Sequence, residues 1–195
     1  MDQSAALTAF EENEKFSRLG VRRYSFYKMV EHLEKAEPGL IIETGTAWDK
    51  DNWEGQGQST LIWDWACEKL EKHSVLSIDL NPEAAKMSGE QTKFVRYETA
   101  DSVKTLNKLP DDHLKYCRIL YLDSYDWTPE GNLDSAFHHI AELATIWAKL
   151  PSGCLIVVDD CHGPMKGKHF MVEFFMEKLG VESYFKGYQT GWIKP

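Results

Sequence analysis

Apolar and polar positions along the chain follow two alternating periods. Short apolar runs bounded by turn residues occur at Leu40-Ile41-Ile42, at Val75-Leu76-Ser77-Ile78, and over 94–97, 118–122 and 154–158. Runs of this length and composition predict strands buried on both faces, as in a parallel sheet. Between them lie stretches of helical spacing. Ser59-Thr60 is expected to cap the helix STLIWDWACEKLEK, Asn81-Pro82-Glu83 to start the next, and Asp101-Ser102 to cap a helix over 103–109. Leu133, Phe137, Ile140, Ala144 and Trp147 mark a helix over 133–149, and a further helix over 168–179 stops at Gly180. The tail, 183–195, reads as two short strands around Gln189-Thr190-Gly191.

Ahead of the first strand, residues 4–36 have helical spacing, with Tyr24, Tyr27, Val30 and Leu33 or His32 on one stripe, and Pro38-Gly39 ends the pattern. The expected organisation is a helical lead-in over 1–38 followed by an α/β domain over 39–195. Alternating strands and helices predict a doubly wound, mostly parallel sheet with helices on both faces. Ligands of such sheets bind beyond the carboxyl ends of the strands.

Composition narrows the function. A chain of 195 residues has the size of one domain, and a net charge of -9 disfavours a nucleic acid partner, which calls for clustered Lys and Arg. Arg18, Arg22, Arg23 and Lys28 are close in sequence and are expected to form a solvated helix face. Cys67, Cys117, Cys154 and Cys161 are widely spaced without a CxxC pair, which predicts reduced thiols and a cytoplasmic location. The first residues lack the pattern of a secretory leader, and no window approaches the roughly 18 apolar residues that span a bilayer. A small-molecule substrate fits these exclusions, and self-association stays open.

The informative pattern is acidic. Glu43, Asp79, Asp101, Asp123 and Asp159-Asp160 all fall at or just beyond the ends of expected strands, so they converge on one rim. Gathered carboxylates repel unless cations or hydrogen-bond donors compensate them. Glu43-Thr44-Gly45 forms a turn that a ligand can approach closely at Gly45, and Ser59 and Thr60 offer free amides at a helix start. Asp79 lies 22 residues beyond Gly57, close to the roughly 20 expected for an acidic residue that holds ribose hydroxyls.

These residues resemble class I S-adenosylmethionine-dependent methyltransferases, whose first motif is an acidic residue before a Gly-rich turn, as in IIETGTAW. The resemblance spans about 39–195. It implies S-adenosylmethionine as cofactor, with Gly45 and Thr46 near its methionine part, Asp79 on the ribose and Asp101-Ser102 near the adenine. It also implies that FKGYQTGWIKP is an antiparallel closing hairpin. The loop TAWDKDNWEGQGQ is longer than the family's compact turn: it is either a lid or part of the cofactor site. Trp48 and Trp53 within it are either packing anchors or binding surfaces.

A narrower resemblance is to metal-dependent O-methyltransferases of the catechol and macrolide-sugar type, with an Asp after the fourth strand and an acidic pair after the fifth. It implies Asp123, Asp159 and Asp160 as ligands of Mg²⁺ or another divalent cation, which would lower the pKa of a bound hydroxyl. The separation of Asp123 from Asp159 is longer than in that subgroup because of the segment TPEGNLDS. Asp123, Asp126, His162 and Lys168 are the candidate catalytic groups, Asp123 also lying beside the cofactor. His138 and His139 are either orienting groups or packed core histidines. The reading is methylation of a small hydroxylated acceptor, a sugar, polyol or phenol. A metal-dependent hydrolase or hydroxylase, or a non-catalytic S-adenosylmethionine-binding module, are the alternatives, and a hydrolase has no need of the Glu43 turn with Asp79.

Overall fold

The computed structural model describes residues 4–56, 58–128, 132–161 and 167–195. Seven strands form one sheet: β1 (Gly39–Thr44), β2 (His73–Asp79), β3 (Val95–Thr99), β4 (Cys117–Leu122), β5 (Leu155–Val158), β6 (Ser183–Phe185) and β7 (Thr190–Ile193). Their order is β3-β2-β1-β4-β5-β7-β6. β1 to β5 pair in parallel, while β7 lies antiparallel between β5 and β6, so the expected hairpin closes the sheet. The doubly wound α/β fold expected from the sequence is the one observed.

The helices are α1 (Ala5–Glu12), α2 (Glu14–Ser17), α3 (Arg23–Lys35), α4 (Ser59–Leu70), α5 (Pro82–Gly89), α6 (Ser102–Lys108), α7 (Asp111–Leu114), α8 (Asn132–Ile146) and α9 (Phe170–Lys178). Alternation along the strands sorts the core into two layers. Ile41, Ile119, Tyr121, Leu155 and Val157 face Phe26, Met29, Val30 and Trp63. Ile42, Leu120, Leu122, Ile156 and Val158 face Leu106, Leu143, Val172 and Met176 on the other side.

Three local expectations are corrected. The stretch 4–36 is not one helical pattern: it breaks at Asn13, whose side chain caps α2 by accepting from Lys15 N at 3.0 Å, and at Gly20, where φ is +54°. The inward face of α3 is Phe26, Met29, Val30 and Leu33, whereas Tyr24 is 64% exposed, because the short turn Gly20–Arg22 sets the helix's rotation. Ser59 and Thr60 are not the cap of α4. Gln58, in a left-handed conformation with φ 50°, takes that position, and both hydroxyls are drawn instead to a buried carboxylate.

Phe26 is fully buried, with its ring 5.4 Å from Trp63 and 6.1 Å from Tyr121. Phe26→Ala is expected to cost about 3–5 kcal/mol of stability through lost burial and the cavity left behind. Urea denaturation checks this, and a loss below about 1 kcal/mol would show that α3 is not part of the sheet's core.

Candidate functional site

The sheet order reverses between β1 and β4, and at that point a cleft of about 470 Å³ opens beyond the strand ends. Its walls include Gly45, Thr46, Ser59, Asp79, Asp123, Asp126, Asp160 and Lys168, so eight residues expected at the site are brought together. Backbone pairing keeps the rim level: Gly45 N donates to Ile78 O at 2.9 Å and Asp123 N to Thr44 O at 2.9 Å. A larger hollow of about 1150 Å³ lies against β2, β3 and α6, away from the reversal point. The switch position of an open α/β sheet, rather than size, selects the smaller cleft.

Gly45 has φ +86°, and a Cβ there would lie 2.5 Å from the Asp123 carbonyl oxygen. Its missing side chain therefore first permits the ends of β1 and β4 to meet, and only then leaves the turn open to a ligand. Asp79 spans the next gap. Its Oδ2 accepts from Thr46 N at 2.7 Å and its Oδ1 from Asn81 N at 2.7 Å, which joins the β1 turn to the end of β2.

Glu43 lies beneath the cleft rather than on its wall. Its Oε1 accepts from Ser59 Oγ at 2.5 Å and Trp63 Nε1 at 3.1 Å, and its Oε2 from Thr60 Oγ1 and Ser77 Oγ, each at 2.7 Å. Burial pushes its carboxyl up to about 7 despite these four donors. Thr60 is fully buried with it, its hydroxyl also accepting from Ala47 N at 2.9 Å, while Ser59 reaches the cleft wall. Asp101 caps α6 through Lys104 N at 2.8 Å and lines the larger hollow, and the buried Ser102 faces His138 Nε2 at 3.1 Å. Neither lines the cleft.

The far end of the cleft is built around two cations. Arg22, expected on a solvated face, is buried. Its Nε bonds Asp159 Oδ2 at 3.1 Å, one terminal nitrogen bonds Asp160 Oδ1 at 3.2 Å, and the other bonds the Gly55 carbonyl at 3.0 Å. The guanidinium also lies 4.3 Å from the centre of the Tyr188 ring. Lys168 Nζ bonds Asp160 Oδ2 at 3.0 Å and bonds Asp123 Oδ1. Burial opposes both charges, but the carboxylates outweigh it and raise both pKa values. Arg18, by contrast, stays at the surface and ties down the 46–58 loop through Asp51 and Glu54.

Asp159 receives further donors: Tyr121 Oη at 2.7 Å, Gln189 Nε2 at 3.4 Å and Asp160 N at 2.7 Å. Gln189 is held in turn by the Ser25 hydroxyl of α3. Sequence reasoning missed Arg22, Ser25, Tyr121, Tyr188 and Gln189 as site residues. The one available signal was Tyr121, a hydroxyl-bearing side chain in an otherwise apolar strand that needs a partner when buried.

The expected metal ligands Asp123, Asp159 and Asp160 do lie together at this end of the cleft, each engaged by Arg22 or Lys168. Among the described residues, no group of three or more His, Cys, Asp or Glu side chains is disposed to hold a metal ion. His162 lies outside the described residues. His139 is a packed core histidine, bonded through Nδ1 to Ser135 O at 2.6 Å, and burial lowers its pKa to about 4. His138 is paired with Glu142 at 3.4 Å, which raises its pKa. The loop tryptophans divide: Trp53 is buried on Phe16, while Trp48 is 59% exposed on the cleft wall.

No family model and no curated protein sequence matches this chain. Solved structures do. CalS11, a TDP-rhamnose 3'-O-methyltransferase of calicheamicin biosynthesis, aligns over 99% of this chain and 96% of its own with a TM-score of 0.62 and 12% identity. The SAH-bound methyltransferase PaMTH1 of Podospora anserina aligns over 99% and 89% with a TM-score of 0.59 and 14% identity. MycE of mycinamycin biosynthesis, seen with Mg, SAH and mycinamycin VI, aligns over 89% and 49% with a TM-score of 0.60 and 11% identity. The chain is thus similar to methyltransferases in fold. No helix among the described residues is long and apolar enough to cross a membrane.

Because the folded state binds a proton at Glu43 more tightly than the unfolded chain, with its ordinary value of 4.5, this group's stabilisation falls as pH rises from 4.5 to about 7. The difference amounts to about 3 kcal/mol. Glu43→Gln is expected to lack that slope. Urea midpoints of both chains between pH 4.5 and 8 test it, and parallel profiles would contradict the assignment.

Proposed function

We propose that the chain is an S-adenosylmethionine-dependent methyltransferase that methylates a hydroxyl of a small acceptor such as a sugar, polyol or phenol. The observation that carries this reading is the Asp79–Thr46 bridge beside Gly45, set at the point where the sheet order reverses. The bridge leaves lone pairs on the Asp79 carboxylate to accept from a pair of ribose hydroxyls. Trp48, exposed on the cleft wall, offers a flat apolar face suited to stack on a purine.

Charge supports the same cofactor. Asp79, Asp123, Asp126 and Asp160 line the cleft against Arg22 and Lys168, so carboxylates are in surplus and favour a cationic ligand. S-adenosylmethionine would supply an electrophilic methyl group on a sulfonium sulfur. The residues of the chain align the acceptor oxygen with that methyl and keep water out. Asp126, on the cleft wall, accepts the proton released by the acceptor hydroxyl. Arg22 and Lys168 hold the expected metal ligands, and the transfer proposed uses no metal. CalS11, by its name a TDP-rhamnose 3'-O-methyltransferase, supports a hydroxylated acceptor.

Calorimetry with S-adenosylmethionine and S-adenosylhomocysteine tests the reading. Both are expected to bind, and Asp79→Ala is expected to weaken binding at least tenfold. Absence of binding by either ligand refutes the proposal. With an acceptor panel of sugars and phenols, Asp126→Asn is expected to lower turnover at least a hundredfold while leaving cofactor affinity within about threefold; unchanged turnover would remove Asp126 from the role of base.

A further inference from the structure

Of the three carboxylates expected to gather a divalent ion, two hold a lysine between them and the third holds an arginine. Lys168 is 2% exposed at its side chain and reaches one oxygen of Asp123 and one of Asp160. Its backbone N–H bonds Asp160 O at 3.3 Å, so the ammonium is anchored to the same turn it neutralises. Asp160 itself adopts φ 51°, a left-handed conformation that an Asp tolerates. Its two oxygens are divided between the two cations, Oδ1 to Arg22 and Oδ2 to Lys168.

Arg22 closes the remaining coordination positions. Asp159, 1% exposed at its side chain, accepts from Arg22, Tyr121, Gln189 and its neighbour's amide, which uses the roughly four lone-pair sites of a carboxylate. Arg22 is itself held by the Gly55 carbonyl and the Tyr188 ring. A hard divalent ion needs direct oxygen contacts at about 2.0–2.6 Å. A divalent ion seated between Asp123 and Asp160 would have to displace the ammonium from both.

We propose that Lys168, backed by Arg22, is a built-in cation that takes the place of a divalent metal ion between Asp123 and Asp160, making this end of the cleft metal-free. The ammonium supplies fixed positive charge and N–H donors where a metal would supply a Lewis acid. Two protons point at carboxylates, and the third has the Asp123 carbonyl at 3.5 Å, a long contact that an acceptor oxygen can replace. Charge at the acceptor end thus comes with the chain and does not depend on metal supply.

Mn²⁺ serves as the probe, read by electron paramagnetic resonance and by the shift of the thermal melting midpoint. The native chain is expected to bind no Mn²⁺ at up to about 1 mM, the weak end of the range of low-affinity oxygen-ligand cation sites, roughly 10⁻⁴–10⁻³ M. Lys168→Ala leaves Asp123 and Asp160 facing the vacated space and is expected to gain a site at least tenfold tighter than any in the native chain. Adding Asp160→Asn to that variant is expected to remove it. If Lys168→Ala does not fold alone, Lys168→Gln, one atom shorter, uncharged and offering an amide oxygen, is expected to show at least a fivefold gain. A native Mn²⁺ site lost in Asp123→Asn, or no gain in either lysine variant, overturns the proposal. These outcomes are read from the metal alone, so they are separate from the cofactor calorimetry that tests methyl transfer.

Discussion

The buried ion pair between Arg22 and Asp159 is the constraint on which the rest of the site depends. Two charges removed from water are tolerated only when they are paired and their remaining hydrogen-bonding positions are filled. Here the filling groups come from distant parts of the chain: the Gly55 carbonyl from the loop after β1, Tyr121 from β4, and Gln189 from the turn before β7. One guanidinium therefore fixes the helical lead-in, the long loop and the closing hairpin against the ends of β4 and β5. Removing either partner would leave the other charge buried and unmatched, so the segments are held together by the cost of separating them.

The acidic rim is compensated in three different ways, and the difference divides the cleft. Glu43 is met by neutral hydroxyl and indole donors inside the core, which makes it a brace for β1, β2 and α4. Asp79 is met by two backbone amides and remains open to the cleft. Asp123, Asp159 and Asp160 are met by full positive charges. A polar ligand finds free acceptor capacity at the Asp79 end and fixed cationic donors at the Lys168 end.

The fold was legible because both periods were. The apolar runs of β1, β2, β4 and β5 and the terminators Pro38-Gly39, Asn81-Pro82 and Gly180 are local facts, and each strand lies where its run predicted, within a few residues. The acidic residues at strand ends were likewise visible, because a parallel sheet carries the ends of successive strands to one rim. Structures sharing only 11–14% identity keep the same architecture, as expected when patterning rather than particular side chains specifies a fold.

Partners of buried polar groups were not legible in the same way. Ser59 and Thr60 have the composition of a helix cap, but Glu43 claimed their hydroxyls once β1 and α4 were packed together. Arg22 sits among basic residues that look solvated, yet its partner lies 137 positions away and meets it only because α3 covers the sheet. Local sequence determined the strands, the helices, the acidic rim and the turn at Gly45, since these follow from periodicity and backbone preference over a few residues. Tertiary structure alone decided which cation neutralises which carboxylate. Long-range pairing energies depend on distance and burial, and neither is written in the spacing of residues along the chain.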